Sequence, residues 1–153
     1  LRSVYESRSL IGASWLMTKR ALEKVGGFDP LFYHYGEDNN YVQRVRYHGL
    51  KTGVCPQAKI YHDRENRGKN KFYDDRRSII DLKIEFANVS NPRPSKKIYK
   101  KILILFIKLL YHVVSSKEKS KKTWKEIRSI YNQKDDIIKS WKRNRSPGPK
   151  YIS

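Results

Sequence analysis

Hydrophobic positions along this chain change their rhythm near residue 68. Before it, short apolar runs alternate with polar stretches. After it, apolar residues recur at helical spacing for most of the remaining length. Leu10-Ile11-Gly12-Ala13-Ser14-Trp15-Leu16-Met17 is an apolar run with small residues at its centre, which predicts a buried strand or strand-loop. Gly12 and Ala13 would let a ligand approach the backbone closely. Thr18 is placed to cap a short helix from Lys19 to Val25, with Ala21, Leu22 and Val25 on one face and Gly26 as its stop. Phe28-Asp29-Pro30 predicts a turn. The next helix runs from about Glu37 to His48 and ends at Gly49, with Tyr41, Val45 and His48 at helical spacing and Arg44 towards the end where the dipole favours cations. Lys51 to Cys55 and Lys59 to Tyr61 predict short strands around Pro56. Alternating strand and helix is the grammar of an α/β fold.

Beyond Gly68 the pattern is helical. Phe72 to Asn88 predicts an amphipathic helix, and Asn91-Pro92-Arg93-Pro94 breaks the chain before the next. Lys97 to Val114 is the most apolar stretch. On a helical wheel Lys97, Lys101, Lys108 and His112 share one narrow face, and nearly everything else is aliphatic or aromatic. Its uninterrupted part is shorter than the roughly 20 apolar residues that span a bilayer. Such a helix either packs deep against its own domain or lies in a membrane interface. From Lys117 to Arg145, Trp124, Ile127, Tyr131, Ile138 and Trp141 trace one face, in one helix or two. Ser146-Pro147-Gly148-Pro149 predicts a disordered tail. The expected organisation is therefore an α/β segment over 1–68, a basic helical region over 69–145 and a disordered tail over 146–153.

Charge sharpens this division. The net +19 is concentrated C-terminally: residues 1–68 hold 11 Lys/Arg against 7 Asp/Glu, residues 69–153 hold 23 against 8. A field of that size favours polyanions, whether phosphate groups, nucleic acid or an anionic membrane face. The single Cys55 excludes an internal disulfide framework and a cysteine zinc site, so a cytoplasmic setting is expected.

The N-terminal segment carries the residues with chemistry. Val25-Gly26-Gly27-Phe28-Asp29 is followed by the aromatic loop Phe32-Tyr33-His34-Tyr35, then by Glu37-Asp38 opening a helix with Arg44 six residues beyond the Asp, then by Gly49, Pro56 and His62 after a strand. In this order and spacing, residues 10–64 resemble the C-terminal portion of the catalytic domain of family 2 glycosyltransferases, which have the Rossmann-like GT-A fold. The resemblance implies an inverting transfer of a sugar from a nucleotide-diphosphate donor to a glycan or lipid-linked acceptor. An acceptor hydroxyl is a poor nucleophile at neutral pH and needs a carboxylate within hydrogen-bond reach. The resemblance assigns that part to Asp38, with Glu37 orienting the acceptor. Taken alone, the Glu-Asp pair reads more readily as a helix cap, and it is the flanking pattern that turns the reading to a base.

The same resemblance makes His62 a ligand of Mn²⁺ or Mg²⁺ on the donor diphosphate, in concert with an upstream Asp-x-Asp motif that this sequence does not contain. Gly12, Ala13, Ser14 and Trp15 are expected to wall the acceptor side, with Trp15 and Tyr35 as stacking platforms for pyranose rings or else as core aromatics. Arg44 and Arg64 are further candidates for substrate contact. Asn40 stands where the resembled family commonly has a second acidic residue. The basic helical region is expected either to hold the enzyme on the cytoplasmic face of an anionic membrane or to mediate self-association. The alternative reading is a non-catalytic module that binds nucleic acid or anionic membrane.

Overall fold

The computed structural model describes residues 3–10, 14–61 and 71–152, with side chains from residue 77 onward in the last segment. Two short strands, β1 (Tyr5–Glu6) and β2 (Gly53–Val54), and five helices follow in the order β1, α1 (Lys19–Val25), α2 (Glu37–Tyr47), β2, α3 (Lys71–Phe86), α4 (Pro94–Ser115) and α5 (Lys117–Arg145). The α/β expectation is met only in part. The described residues are mostly helical, and they form no Rossmann-like sheet. β1 and β2 pair antiparallel, Tyr5 opposite Val54 and Glu6 opposite Gly53, and all four residues are exposed. A parallel sheet needs apolar cover on both faces, and this ribbon has none. The predicted strand at Lys59 to Tyr61 does not form, and Ser14 to Met17 run as irregular backbone.

Helix punctuation follows the local chemistry. Thr18 caps α1, its Oγ1 accepting the Ala21 N–H at 3.2 Å, and the chain leaves the helix at Gly26. Pro94 opens α4 from its first turn, where the missing N–H costs nothing. Ser116 alone separates α4 from α5, and its Oγ accepts the Lys119 N–H at 3.4 Å. The two helices run antiparallel: His112 meets Thr123 at 3.0 Å, Phe106 stacks edge-on with Trp124, and Lys101 reaches Glu126 at 3.8 Å. Residues 117–145 thus form one continuous helix.

Two apolar cores result. A small one joins Val25 of α1 with Tyr41 and Val45 of α2, against Trp15, Met17 and Leu50. A larger one joins Phe86 and Ala87, Ile98 and Leu105, and Ile127, Ile130 and Ile137, with Phe32 reaching in from the loop before α2. What ties the halves together is polar. Asp29 is 3 % exposed, and its Oδ2 accepts from Ser140 Oγ and Asn144 Nδ2, each at 2.5 Å, while Oδ1 accepts the Leu31 N–H at 2.9 Å. His48 Nε2 donates to the Asn144 carbonyl at 2.8 Å, and Arg145 Nε donates to the Tyr47 hydroxyl at 3.0 Å.

The tail corrects another expectation. Residues 146–152 are not a disordered appendage but a strap over the Gly26-Gly27 turn. The Gly148 N–H bonds the Lys24 carbonyl at 2.9 Å, and the Gly27 N–H bonds the Lys150 carbonyl at 2.7 Å. A Cβ at Gly26 would collide with the Lys150 backbone, reaching its nitrogen at 2.6 Å, and one at Gly27 would come within 2.6 Å of the Tyr151 carbonyl oxygen. Gly26 also sits at φ 85, a left-handed conformation that side chains disfavour. The glycine pair is the socket that the tail requires.

Candidate active site

The residues singled out from the sequence do not gather in one place. Gly12, Ala13, His62 and Arg64 lie outside the described residues. Tyr35, Glu37 and Asp38 stand together. They line a cleft of about 330 Å³ at the start of α2, closed on the far side by Asp81 and Ile84 of α3. An adjoining cleft of about 370 Å³ continues along Tyr33 and His34 to Lys83 and Gln133.

The geometry of this corner comes from its backbone. Tyr35 has φ 68 and Gly36 φ 90, two successive left-handed residues that turn the aromatic loop directly into the first turn of α2. An aromatic residue seldom adopts this conformation, and such outliers cluster where a site must be held in one shape. Gly36 tolerates no side chain: a Cβ there would press on Phe32, Ile80 and Ile84 at 3.0 to 3.1 Å. The helix opens without a side-chain cap, and Glu37 and Asp38 occupy its first turn. Asp38 Oδ1 accepts the Asn39 N–H at 2.7 Å and is 3.2 Å from Asn39 Nδ2. One Glu37 carboxylate oxygen is buried without a hydrogen-bond partner among the described residues. Buried acceptors without donors are uncommon in folded proteins. Three carboxylates, Glu37, Asp38 and Asp81, therefore border one opening. Asp81 carried no distinguishing signal in the sequence, being one acidic residue on an amphipathic helix.

Arg44 is placed differently from expectation. It is fully buried, with its guanidinium donating to the Gly27 carbonyl at 2.7 Å and to the Val25 carbonyl. Its charged end stacks between the Tyr41 ring at 5.5 Å and the Tyr151 ring at 5.2 Å. Burial pushes the guanidinium pKa down, and the Asp29 carboxylate opposes that shift. The expectation of substrate contact is corrected to a structural one: no face of this side chain reaches solvent. Arg44 holds the glycine turn from beneath while the tail holds it from above.

Trp15 packs edge-on against Phe28 at 5.9 Å and Tyr41 at 5.5 Å, in a different pocket from Asp38. Its ring belongs to the small core, although its indole Nε1 is buried without a partner among the described residues. Ser14 is exposed beside it. Among the described residues no three His, Cys, Asp or Glu side chains converge on a metal position. The described residues do not by themselves make a site for Mn²⁺ or Mg²⁺. No helix of the described residues is long and apolar enough to cross a membrane.

Comparison with known proteins adds one finding on the N-terminal part. No curated protein and no solved structure gives a significant match. Residues 1–66, a stretch that contains both the glycine turn and the Glu37-Asp38 corner, match the family described as the N-terminal domain of galactosyltransferase. This match supports a glycosyltransferase family, and not specifically family 2 with a GT-A fold.

Proposed function

We propose that the Tyr35 to Asp38 corner is the acceptor side of an inverting glycosyltransferase, with Asp38 as general base. The supporting observation is the cleft in which a half-buried Asp38, an incompletely satisfied Glu37 and the Tyr35 ring meet behind a left-handed backbone. An acceptor sugar entering there would stack an apolar face on Tyr35 and donate a hydroxyl to Glu37. Asp38 then takes the proton of the attacking hydroxyl as that oxygen bonds to the anomeric carbon of a nucleotide-sugar and the nucleoside diphosphate departs from the opposite face. The hydrogen bond from the Asn39 N–H orients the Asp38 carboxylate at the first turn of α2. Donor recognition is proposed to rest with residues outside this corner, His62 and Arg64 among the candidates, with the metal that the sequence resemblance implies.

The test is a transfer assay on the full protein with a panel of nucleotide-sugars. Asp38→Asn should lower kcat by about 10²- to 10⁴-fold, the usual range for a lost general base, with little change in the KM for donor. Product anomeric configuration, read by proton NMR, should be inverted relative to the donor. Turnover retained in Asp38→Asn removes Asp38 as the base, and a retained configuration removes the single-displacement mechanism.

A further inference from the structure

The α4–α5 hairpin presents a surface that the fold leaves uncovered. On the inward side of α4, Ile98 and Leu105 are buried, with Ile102 and Leu109 packed beside them. The outward side is also apolar. Over its last three turns Leu103, Phe106, Ile107, Leu110, Tyr111 and Val114 are all exposed, from 42 % at Phe106 to 92 % at Val114. The sequence placed a polar stripe on this helix, and in an ordinary surface helix that stripe would face water. Here two of its four members turn towards α5, Lys101 to Glu126 and His112 to Thr123. The apolar surface is left outside. Trp124 of α5, half exposed, extends it by its edge contact with Phe106 at 6.3 Å.

The rim identifies the occupant. Between residues 96 and 128 there are 11 Lys/Arg and 2 acidic residues, one of them Glu126, already engaged by Lys101. Lys96 and Lys100 stand on the outward face at the start of α4. Lys117, Lys121 and Arg128 share the Trp124 face of α5 at helical spacing. A second copy of this chain would bring two such rims of like charge together, which opposes self-association. A sheet of anionic headgroups over an acyl layer complements both components, since lysines pair with the headgroups while the aliphatic stripe enters the boundary region.

We propose that the outward face of the α4–α5 hairpin docks the protein on an anionic lipid bilayer, with α4 lying in the plane of the interface. The inference does not depend on Asp38: docking concerns where the protein sits, and base catalysis concerns what it does there. The two can fail separately.

Vesicle flotation of the full chain tests it, with phosphatidylcholine vesicles prepared with and without about one third phosphatidylglycerol. Binding should require the anionic lipid and weaken with salt. The double variant Ile107→Gln/Leu110→Gln alters two exposed side chains and should leave circular dichroism unchanged while cutting the partition coefficient at least tenfold. Replacing Lys117 and Lys121 by Gln should reduce it about fivefold per lysine, following the roughly 1 kcal/mol that each basic residue contributes near such a surface. Trp124 fluorescence should be quenched by brominated acyl chains, with Trp124→Phe removing that component. Absence of flotation, or flotation unaffected by Ile107→Gln/Leu110→Gln, overturns the proposal. So does a dimer in gel filtration that the same double variant converts to monomer, since the face would then belong to a second copy.

Discussion

Replacing Asp29 by Ala should be among the most damaging single changes outside the apolar cores. The carboxylate accepts three hydrogen bonds, at 2.9 Å from the Leu31 N–H and at 2.5 Å each from Ser140 and Asn144. Bonds to a charged acceptor contribute about 1.5–3 kcal/mol each, though not additively. The substitution also leaves the Ser140 and Asn144 donors buried without their acceptor, at about 1–3 kcal/mol for each unsatisfied group, and removes the negative charge that opposes the desolvation of Arg44. A loss of about 4 kcal/mol follows, which for a chain of this size lowers Tm by roughly 8–16 °C. Asp29→Asn keeps the volume and one acceptor oxygen but turns an N–H₂ towards a donor, so about 2–3 kcal/mol is expected. Urea unfolding followed by far-ultraviolet circular dichroism measures both, and an unchanged slope against denaturant would show that the compactness of the end states is preserved. A double-mutant cycle of Asp29→Ala with Asn144→Ala should give a coupling above about 1 kcal/mol. An Asp29→Ala loss below about 1 kcal/mol, or additivity with Asn144→Ala, would refute the reasoning. Lost transfer with intact stability would instead move Asp29 into the chemistry.

Three further outcomes follow from the same joint and from the site. Gly26→Ala should displace the tail, costing about 2 kcal/mol through the backbone collision and left-handed φ, and amide exchange at Gly27 should accelerate because its acceptor, the Lys150 carbonyl, is withdrawn. Tyr35→Gly should raise stability by up to about 1 kcal/mol by relieving its φ of 68, while weakening acceptor binding as a rise in acceptor KM; a loss of stability would mean that the ring, not the backbone, sets that corner. Burial holds the His48 pKa below its ordinary 6.5, against the opposing hydrogen bond to the Asn144 carbonyl. The unfolded chain therefore takes up the proton first: His48's contribution is complete above pH 6.5 and lost as pH falls through the folded value, so His48→Gln should flatten the acid limb of a stability–pH curve.

The parts of the fold that were legible in the sequence are those written locally. Thr18 and Gly26 bound α1, Glu37 and Gly49 bound α2, and the proline pair at 92 and 94 separates α3 from α4, each through a group that makes or denies a nearby backbone hydrogen bond. Of the two strands expected around Pro56, the first survives as Gly53–Val54 and Lys59 to Tyr61 forms none, because a strand needs a partner that covers it and Val54 finds just the exposed Tyr5. The polar joint was not legible at all. Asp29 and Asn144 are 115 residues apart, and nothing in either segment's periodicity points to the other. Nor does a helical wheel say which of two faces turns inward. On α4 that depends on Glu126 and Thr123, which lie on another helix.

This joint changes what the glycosyltransferase-like signature means here. Gly26, Gly27, Asp29 and Arg44 are the residues that make it recognisable, yet each is engaged by the fold: the glycines by the tail, Asp29 by α5, Arg44 by the glycine turn itself. Tyr35, Glu37 and Asp38 line the cleft at the start of α2. The two groups are nonetheless connected. Asp29 sets the start of the loop that carries Phe32 into the larger core, and Arg44, two turns along α2 from Glu37, fixes that helix against the same turn. The corner containing Asp38 is therefore held between two elements whose positions depend on the C-terminal helix and tail. A helical region that carries none of the expected chemistry thus positions the residues that would perform it.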